Sequence, residues 1–247
     1  METTYIEIDS PDKHLSDVLE EIPSNVILYK TLTGIGATYS EIKAQRHSII
    51  IEPNVPVIIG KCNSAKHKND NLLGVYEGVT TDRIIKYLGA SRGKYYKILT
   101  TPESFTKVKD AFLIFNGKIY NTCFLLIDEA HKTIKDVDYR SDIVLPMNDF
   151  FKFKGKALVS ATPLKFSDPR FEENGFSIIK IEPTYDYAKE IDIKPSTNIL
   201  REVWEEFGWM PFITGQDKDR PFFIFINSVD IIYSIISQLK LFDKSSV

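Results

Sequence analysis

The chain has 247 residues, of which 43% are hydrophobic and 26% charged, with a formal net charge of −3. That balance excludes a disordered or fibrous protein and one that is basic all over, and the length admits one complete domain with something appended. No apolar run reaches the roughly 18 to 20 residues needed to span a bilayer, and "METTYIEIDSPDKH" lacks a basic segment followed by an apolar one. A cytoplasmic protein is expected, or one in a host's cytoplasm if a phage or mobile element encodes it.

In chain order, "NVILYK" (25–30) reads as a short buried strand entering the glycine loop "TLTGIGAT" (31–38), with "TYSEIKAQR" (38–46) as the helix that follows. "HSIIIEPN" (47–54) is a second strand, ended by a proline. "TTDRIIKYLGAS" (80–91) is a helix, and "YYKILTTPESF" (95–105) a strand ending in a polar loop. "TCFLLIDEAH" (122–131), "GKALVSATP" (155–163) and "FSIIKIEP" (176–183) complete six strand candidates. Apolar runs alternating with helical stretches predict a doubly wound α/β sheet, mostly parallel, with helices on both faces. Past Pro183 the texture becomes that of a connector, with one short helix over "NILREVWEEFG"; "PFFIFINSVDIIYSIISQLK" (221–240) then reads as a strand, a turn at Asn227-Ser228 and an amphipathic helix. One such unit cannot bury both its faces, so the chain is expected to stop just inside a second domain.

Cys62 and Cys123 lie far apart, which gives neither a disulfide framework nor a zinc-site spacing, and Cys123 in its apolar run reads as a buried structural thiol. Charge is uneven: residues 61–110 hold ten Lys and Arg against five Asp and Glu, either a nucleic-acid face or a solvated surface.

Two stretches carry chemistry. "FLLIDEAH" delivers Asp128 and Glu129 to the C-terminal edge of a buried strand, where open α/β sheets bind ligands. In a nucleoside triphosphatase the first carboxylate holds Mg²⁺ and the second polarises the attacking water. In "TLTGIGAT", Gly34 and Gly36 let the backbone approach phosphate oxygens, and Thr38 offers a hydroxyl to Mg²⁺. Each taken singly has a plain alternative, a strand ending in acids or a glycine turn; their order along the chain favours the functional reading.

"TGIGAT", "TTPESF", "LIDEAH", "SATP" and "FIFINS" occur in the order of motifs I, Ib, II, III and IV of the superfamily 2 helicases, and residues 20–240 resemble that DEAD/DEAH-box-like group. The resemblance implies a RecA-like P-loop domain over residues 1–190, a linker over 191–220 and the start of a second RecA-like domain over 221–247. It implies an ATP- and Mg²⁺-dependent helicase or translocase acting on DNA or RNA, with no membrane partner. Thr33, Gly34, Ile35, Gly36, Ala37 and Thr38 would bind nucleotide; Thr38 and Asp128 would hold the metal, and Glu129 would act as base. His131, Ser160 and Thr162 would couple hydrolysis to domain movement. Thr101, Pro102, Glu103 and Ser104 would contact a nucleic-acid backbone, although a turn and helix cap fits them equally well. An adenine-reading motif is not apparent, and "IEPNVPVIIGK" matches motif Ia poorly.

One departure stands out. Where G-x-x-x-x-G-K-[ST] puts lysine against the phosphates, this chain has Ala37. Three explanations compete: Lys30, seven positions earlier, supplies the ammonium, as in terminase ATPases whose lysine opens the motif; the site binds nucleotide without hydrolysing it; or a degenerate fold binds nucleic acid or protein. Terminase-like DNA packaging and a pseudo-ATPase are therefore the alternative functions.

Overall fold

Short β-branched and leucine-rich runs become buried strands because each is too brief for a helix and is bounded by Gly, Asn or charged residues. The computed structural model describes residues 1–32, 34–135, 145–162, 168–186 and 229–238, with Asn198 and Arg201. The chain divides into two compact units, Met1–Tyr187 and Ala188–Val247.

In the first unit the strands are β1 (Thr3–Ile8), β2 (Val26–Lys30), β3 (His47–Ile51), β4 (Leu72–Val75), β5 (Lys97–Thr100), β6 (Cys123–Ile127), β7 (Gly155–Ser160) and β8 (Ser177–Pro183). They form one eight-stranded sheet in the order β1-β8-β2-β7-β6-β3-β5-β4. All its pairings are parallel. The expected α/β architecture therefore holds, with two strands more than the six anticipated. β1, "TTYIEI", sits at one edge with mostly exposed side chains, and β4, "LLGV", carries a glycine. β1 lacks the apolar density that marks a buried strand in sequence, and β4 is only four residues long with the glycine inside it.

Alternation along the strands sorts the core into two faces. Leu28, Ile50, Leu126 and Val159 cluster with residues of α1 (Leu15–Val18), α2 (Ala37–Lys43) and α3 (Val55–Asn63). Ile27, Ile51, Ile127 and Leu158 cluster with α4 (Thr81–Ala90), α5 (Phe105–Phe115), α6 (Ile119–Thr122), α7 (Ala130–Lys135), α8 (Leu145–Phe150) and α9 (Arg170–Glu173). Each helix thus buries its apolar stripe on a parallel sheet that needs cover on both sides. Cys123 is buried as expected, and burial pushes its thiol up to about 12.

At the end of the sheet where β3 and β5 begin, a buried polar network fixes α2. Glu41 accepts from Arg46 Nε at 3.0 Å, Arg46 Nη2 at 2.5 Å and Ser48 Oγ at 2.5 Å. Lys97 donates to the carbonyls of Glu41 at 2.7 Å and Ala44 at 2.8 Å, satisfying the carbonyls that end this helix. Burial pushes the Lys97 ammonium down to about 8.

In the second unit the helix expected after the Asn227-Ser228 turn is α10 (Val229–Gln238). The predicted strand over "PFFIFINS" lies outside the described residues. So does the short connector helix, apart from Asn198 and Arg201, where the Asn198 side chain accepts from the Arg201 N–H at 3.1 Å.

Candidate active site

Lys30 closes β2, an interior strand held by β8 on one side and β7 on the other. The period of two that points Leu28 at the α1–α3 face points Lys30 the same way. Asp128 follows β6, two residues after Leu126 of that face. Lys30 Nζ lies 3.0 Å from Asp128 Oδ1 and 2.7 Å from Glu129 Oε1, with the lysine only 6% exposed. One ammonium therefore serves two carboxylates brought from 98 residues away.

Gly34 and Gly36 both adopt left-handed backbone, at φ 82° and 90°. Other residues enter that region only with strain, which is the local reason for two glycines here. The Ile35 carbonyl accepts from the Leu15 N–H at 2.8 Å, which ties the loop to α1. α2 starts at Ala37, and Thr38 Oγ1 donates to Asp128 Oδ2. Thr33 lies outside the described residues. Ala37 is buried in the apolar cluster with Leu28, Ile35 and Ile42, so a lysine there would push its charge against the core.

The electrostatics follow from this packing. Burial alone drives Lys30 down, but Asp128 and Glu129 outweigh it and hold the ammonium above the usual lysine range. Burial alone would raise Asp128; Lys30 and the Thr38 hydroxyl reverse this and hold the carboxyl below its ordinary value. Asp128 Oδ1 also accepts from the Glu129 N–H at 2.9 Å. Glu129 turns the chain out of the strand with a left-handed backbone, φ 49°, uncommon for a residue with a side chain and frequent at functional sites.

His131 opens the way from Glu129 to β7. Its Nδ1 is 3.5 Å from Glu129 Oε2 and 3.1 Å from Ser160 Oγ. Ser160 Oγ donates to the Thr162 carbonyl at 2.7 Å and accepts from the Thr162 N–H at 3.1 Å. The chain of contacts Lys30, Glu129, His131, Ser160, Thr162 is thus continuous. The Thr101–Ser104 segment is not part of it. There Ser104 N–H donates to Thr101 Oγ1 at 3.3 Å and Phe105 N–H to the Pro102 carbonyl at 3.3 Å, a turn that leads into α5 with Glu103 exposed.

Two nearby charged residues were not singled out from sequence. Glu52 follows β3 and is 3% exposed, and because Ile51 pairs with Ile127 it lies beside Asp128. Its Oε1 accepts from the Asn54 N–H and side-chain amide, both at 3.2 Å, and burial, then the charge of Asp128, push its carboxyl up. Lys61 of α3 feels the same group of charges, and burial pushes it down. The available signal was "SIIIE", an apolar run ended by an acid in the same form as "FLLIDE".

The donor set suits a hard cation. Thr38 and Asp128 supply two oxygens in contact, and magnesium ordinarily takes one or two protein carboxylates and completes its shell with phosphate oxygens and water. Among the described residues no group of three or more His, Cys, Asp and Glu side chains could hold a metal alone. These residues fit a metal that arrives with a nucleotide. No helix among the described residues is long and apolar enough to cross a membrane.

No family model matches the chain, and no curated protein sequence matches it. Solved structures do. The helicase MrfA, a DUF1998 protein, aligns over 90% of this chain and 36% of its own, at 12% identity and a TM-score of 0.53. The Hef helicase domain of Pyrococcus furiosus aligns over 74% of this chain and 42% of its own, at 14% identity and a TM-score of 0.46. A hypothetical ATP-dependent RNA helicase from Sulfolobus tokodaii covers 64% of this chain and 48% of its own, at 17% identity and a TM-score of 0.44. This chain spans less than half the length of each. Its parallel sheet, covered on both faces, has the α/β fold of helicase domains.

Proposed function

We propose that the protein is an ATP-dependent helicase or translocase-type ATPase of superfamily 2, acting on DNA or RNA, in which Lys30 replaces the lysine missing at Ala37. The observation that carries this reading is the placement of Lys30 Nζ between Asp128 and Glu129, 3.0 and 2.7 Å away, with Thr38 on the other oxygen of Asp128. A surface lysine at a strand end would extend into water; this one is buried against the two acids that hydrolysis needs.

Thr38 and Asp128 would hold magnesium, which when bound neutralises phosphate charge and orients the terminal phosphoryl group. Glu129 accepts the proton of the attacking water, and its ion pair with Lys30 holds the carboxylate in place for that task. The Lys30 ammonium turns from the carboxylates toward the terminal phosphate, where it stabilises developing negative charge. The amides around Gly34 and Gly36 hold the inner phosphates. His131, hydrogen-bonded to Ser160, reports the state of Glu129 to the end of β7 and Thr162. The backbone of the Thr101–Ser104 turn meets phosphates of the nucleic acid without reading its sequence. Residues 1–190 would act as the first RecA-like domain, and residues 221–247 would belong to a second.

The test is ATP hydrolysis and MgATP-dependent thermal stabilisation of the purified chain, with and without single-stranded DNA or RNA. Glu129→Gln should bind MgATP yet be inactive, and Lys30→Ala should lose about a hundredfold or more in kcat, the scale of one lost electrostatic stabiliser. If Lys30→Ala matches wild type while Glu129→Gln is inactive, another group supplies the charge. A wild type that MgATP fails to stabilise sinks the ATPase reading itself. One that is stabilised but never hydrolyses favours the pseudo-ATPase.

A further inference from the structure

Lys61 has no part in the contacts just described, yet it belongs to the same place. α3 leaves the sheet edge immediately after Glu52 and runs back across the α1–α3 face, where Ile58 is fully buried. Ile58 and Cys62 bracket Gly74 of β4: a Cβ built there would lie 2.9 Å from Ile58 Cγ2 and 3.2 Å from Cys62 Sγ. Lys61, one turn on from Ile58, falls on the other side of that contact from Cys62. Side chains on a helix lean toward its N-terminus, which here means toward the edge that carries Asp128. The charges that act on Lys61 are Asp128, Glu52, Lys30 and Glu129, in that order. It is half-buried, and among the described residues its ammonium has no hydrogen bond or ion pair.

A half-buried ammonium without a partner carries a desolvation cost that an incoming anion would relieve. Lys30 is differently placed, because its charge is already shared by two carboxylates. We infer that Lys61 is a second phosphate-binding cation of this site, which receives the terminal phosphate of a nucleoside triphosphate and contributes to its affinity. The terminal phosphate is the one concerned, since the acids around Lys61 are those serving the metal and the attacking water. The inner phosphates belong to the glycine loop, on the Leu15 side. The division of labour is then between Lys30, which acts in the transition state, and Lys61, which acts in binding. This inference rests on the ATPase reading above.

Calorimetric titration with a non-hydrolysable MgATP analogue and with MgADP separates the two ideas. Lys61→Met keeps the aliphatic stem and removes the charge; it should weaken the triphosphate about tenfold and change the diphosphate less than about twofold. Lys61→Gln, which keeps a donor, is the second variant should the first melt well below wild type without nucleotide. Equal losses for both nucleotides, or none for either, overturn the inference while leaving the ATPase reading intact. A wild type that binds neither nucleotide overturns both.

Discussion

Removing the charge of Lys30 while keeping its stem, as Lys30→Met, leaves Asp128 and Glu129 side by side with no cation between them. Two limits set the cost. If both acids stay ionised, loss of one partner from a buried pair costs about 3–5 kcal/mol. If one takes up a proton instead, lifting a carboxyl from about 3.9 to pH 7, at about 1.36 kcal/mol per pH unit, comes to about 4 kcal/mol. The Glu129 side chain is 21% exposed, so water screens part of this and the lower end applies. About 3 kcal/mol lowers the melting temperature of a unit this size by roughly 6–12 °C. The loss should depend on pH in a definite direction. In the wild type Asp128 titrates below its ordinary 3.8, so the stability it contributes is full above that value and disappears as pH falls through the folded value. The gap between wild type and Lys30→Met should therefore be widest at neutral pH and close only as pH falls below 3.8, through the folded value of Asp128. Adding Asp128→Asn to Lys30→Met should restore most of the stability and none of the hydrolysis. Urea unfolding at neutral and acid pH measures all three chains. A Lys30→Met variant that melts within about 2 °C of wild type at pH 7 would refute the buried pair.

Other features give sharper local tests. Gly74→Ala should cost about 1–3 kcal/mol in urea unfolding, because its new methyl meets Ile58, Cys62 and Tyr76 at 2.9, 3.2 and 3.3 Å; an unchanged midpoint would mean α3 does not lie against β4. Cys123 is held up to about 12 from 9.0, so its contribution is whole below pH 9 and is lost as pH rises toward 12. Wild type should lose about 1 kcal/mol relative to Cys123→Ala between pH 8 and pH 10, and parallel stability curves would count against a buried thiol. Ser160→Ala removes bonds to His131 and to the backbone carbonyl and N–H of Thr162, so it should cost about 1–2 kcal/mol and reduce stimulation of hydrolysis by nucleic acid; full stimulation would break the proposed coupling.

The strands that carry Lys30, Asp128 and Ser160 were legible because each is an interior strand with neighbours on both sides, which demands an unbroken apolar run. β1 escaped because an edge strand with one mostly solvent-facing side has polar residues at most positions, and β4 because Gly74 interrupts its pattern. α3 was hidden by Pro56 and Gly60, although proline is well tolerated in a first turn. Lys30 could be suspected from the loop alone, since a strand, glycines and a helix fix which ends meet. Glu52 could not, because its proximity to Asp128 comes from the register of β3 on β6, a pairing between segments 76 residues apart that no local pattern encodes. Lys61 depends in turn on the direction of α3 across the sheet.

The location of Lys30 on a strand has a consequence for how the site is assembled. β2 is hydrogen-bonded on both sides, so the Lys30 backbone moves only if the sheet moves. A lysine at position 37 would instead stand at the start of α2, directly after the glycine loop, and its placement would depend on how that loop is arranged. Here the charge is installed when the sheet forms, before any ligand arrives. Under the proposed ATPase reading, wrapping the phosphates and placing the cation become separate events, so substitutions that alter the loop's grip on nucleotide should leave the Lys30 charge where it is.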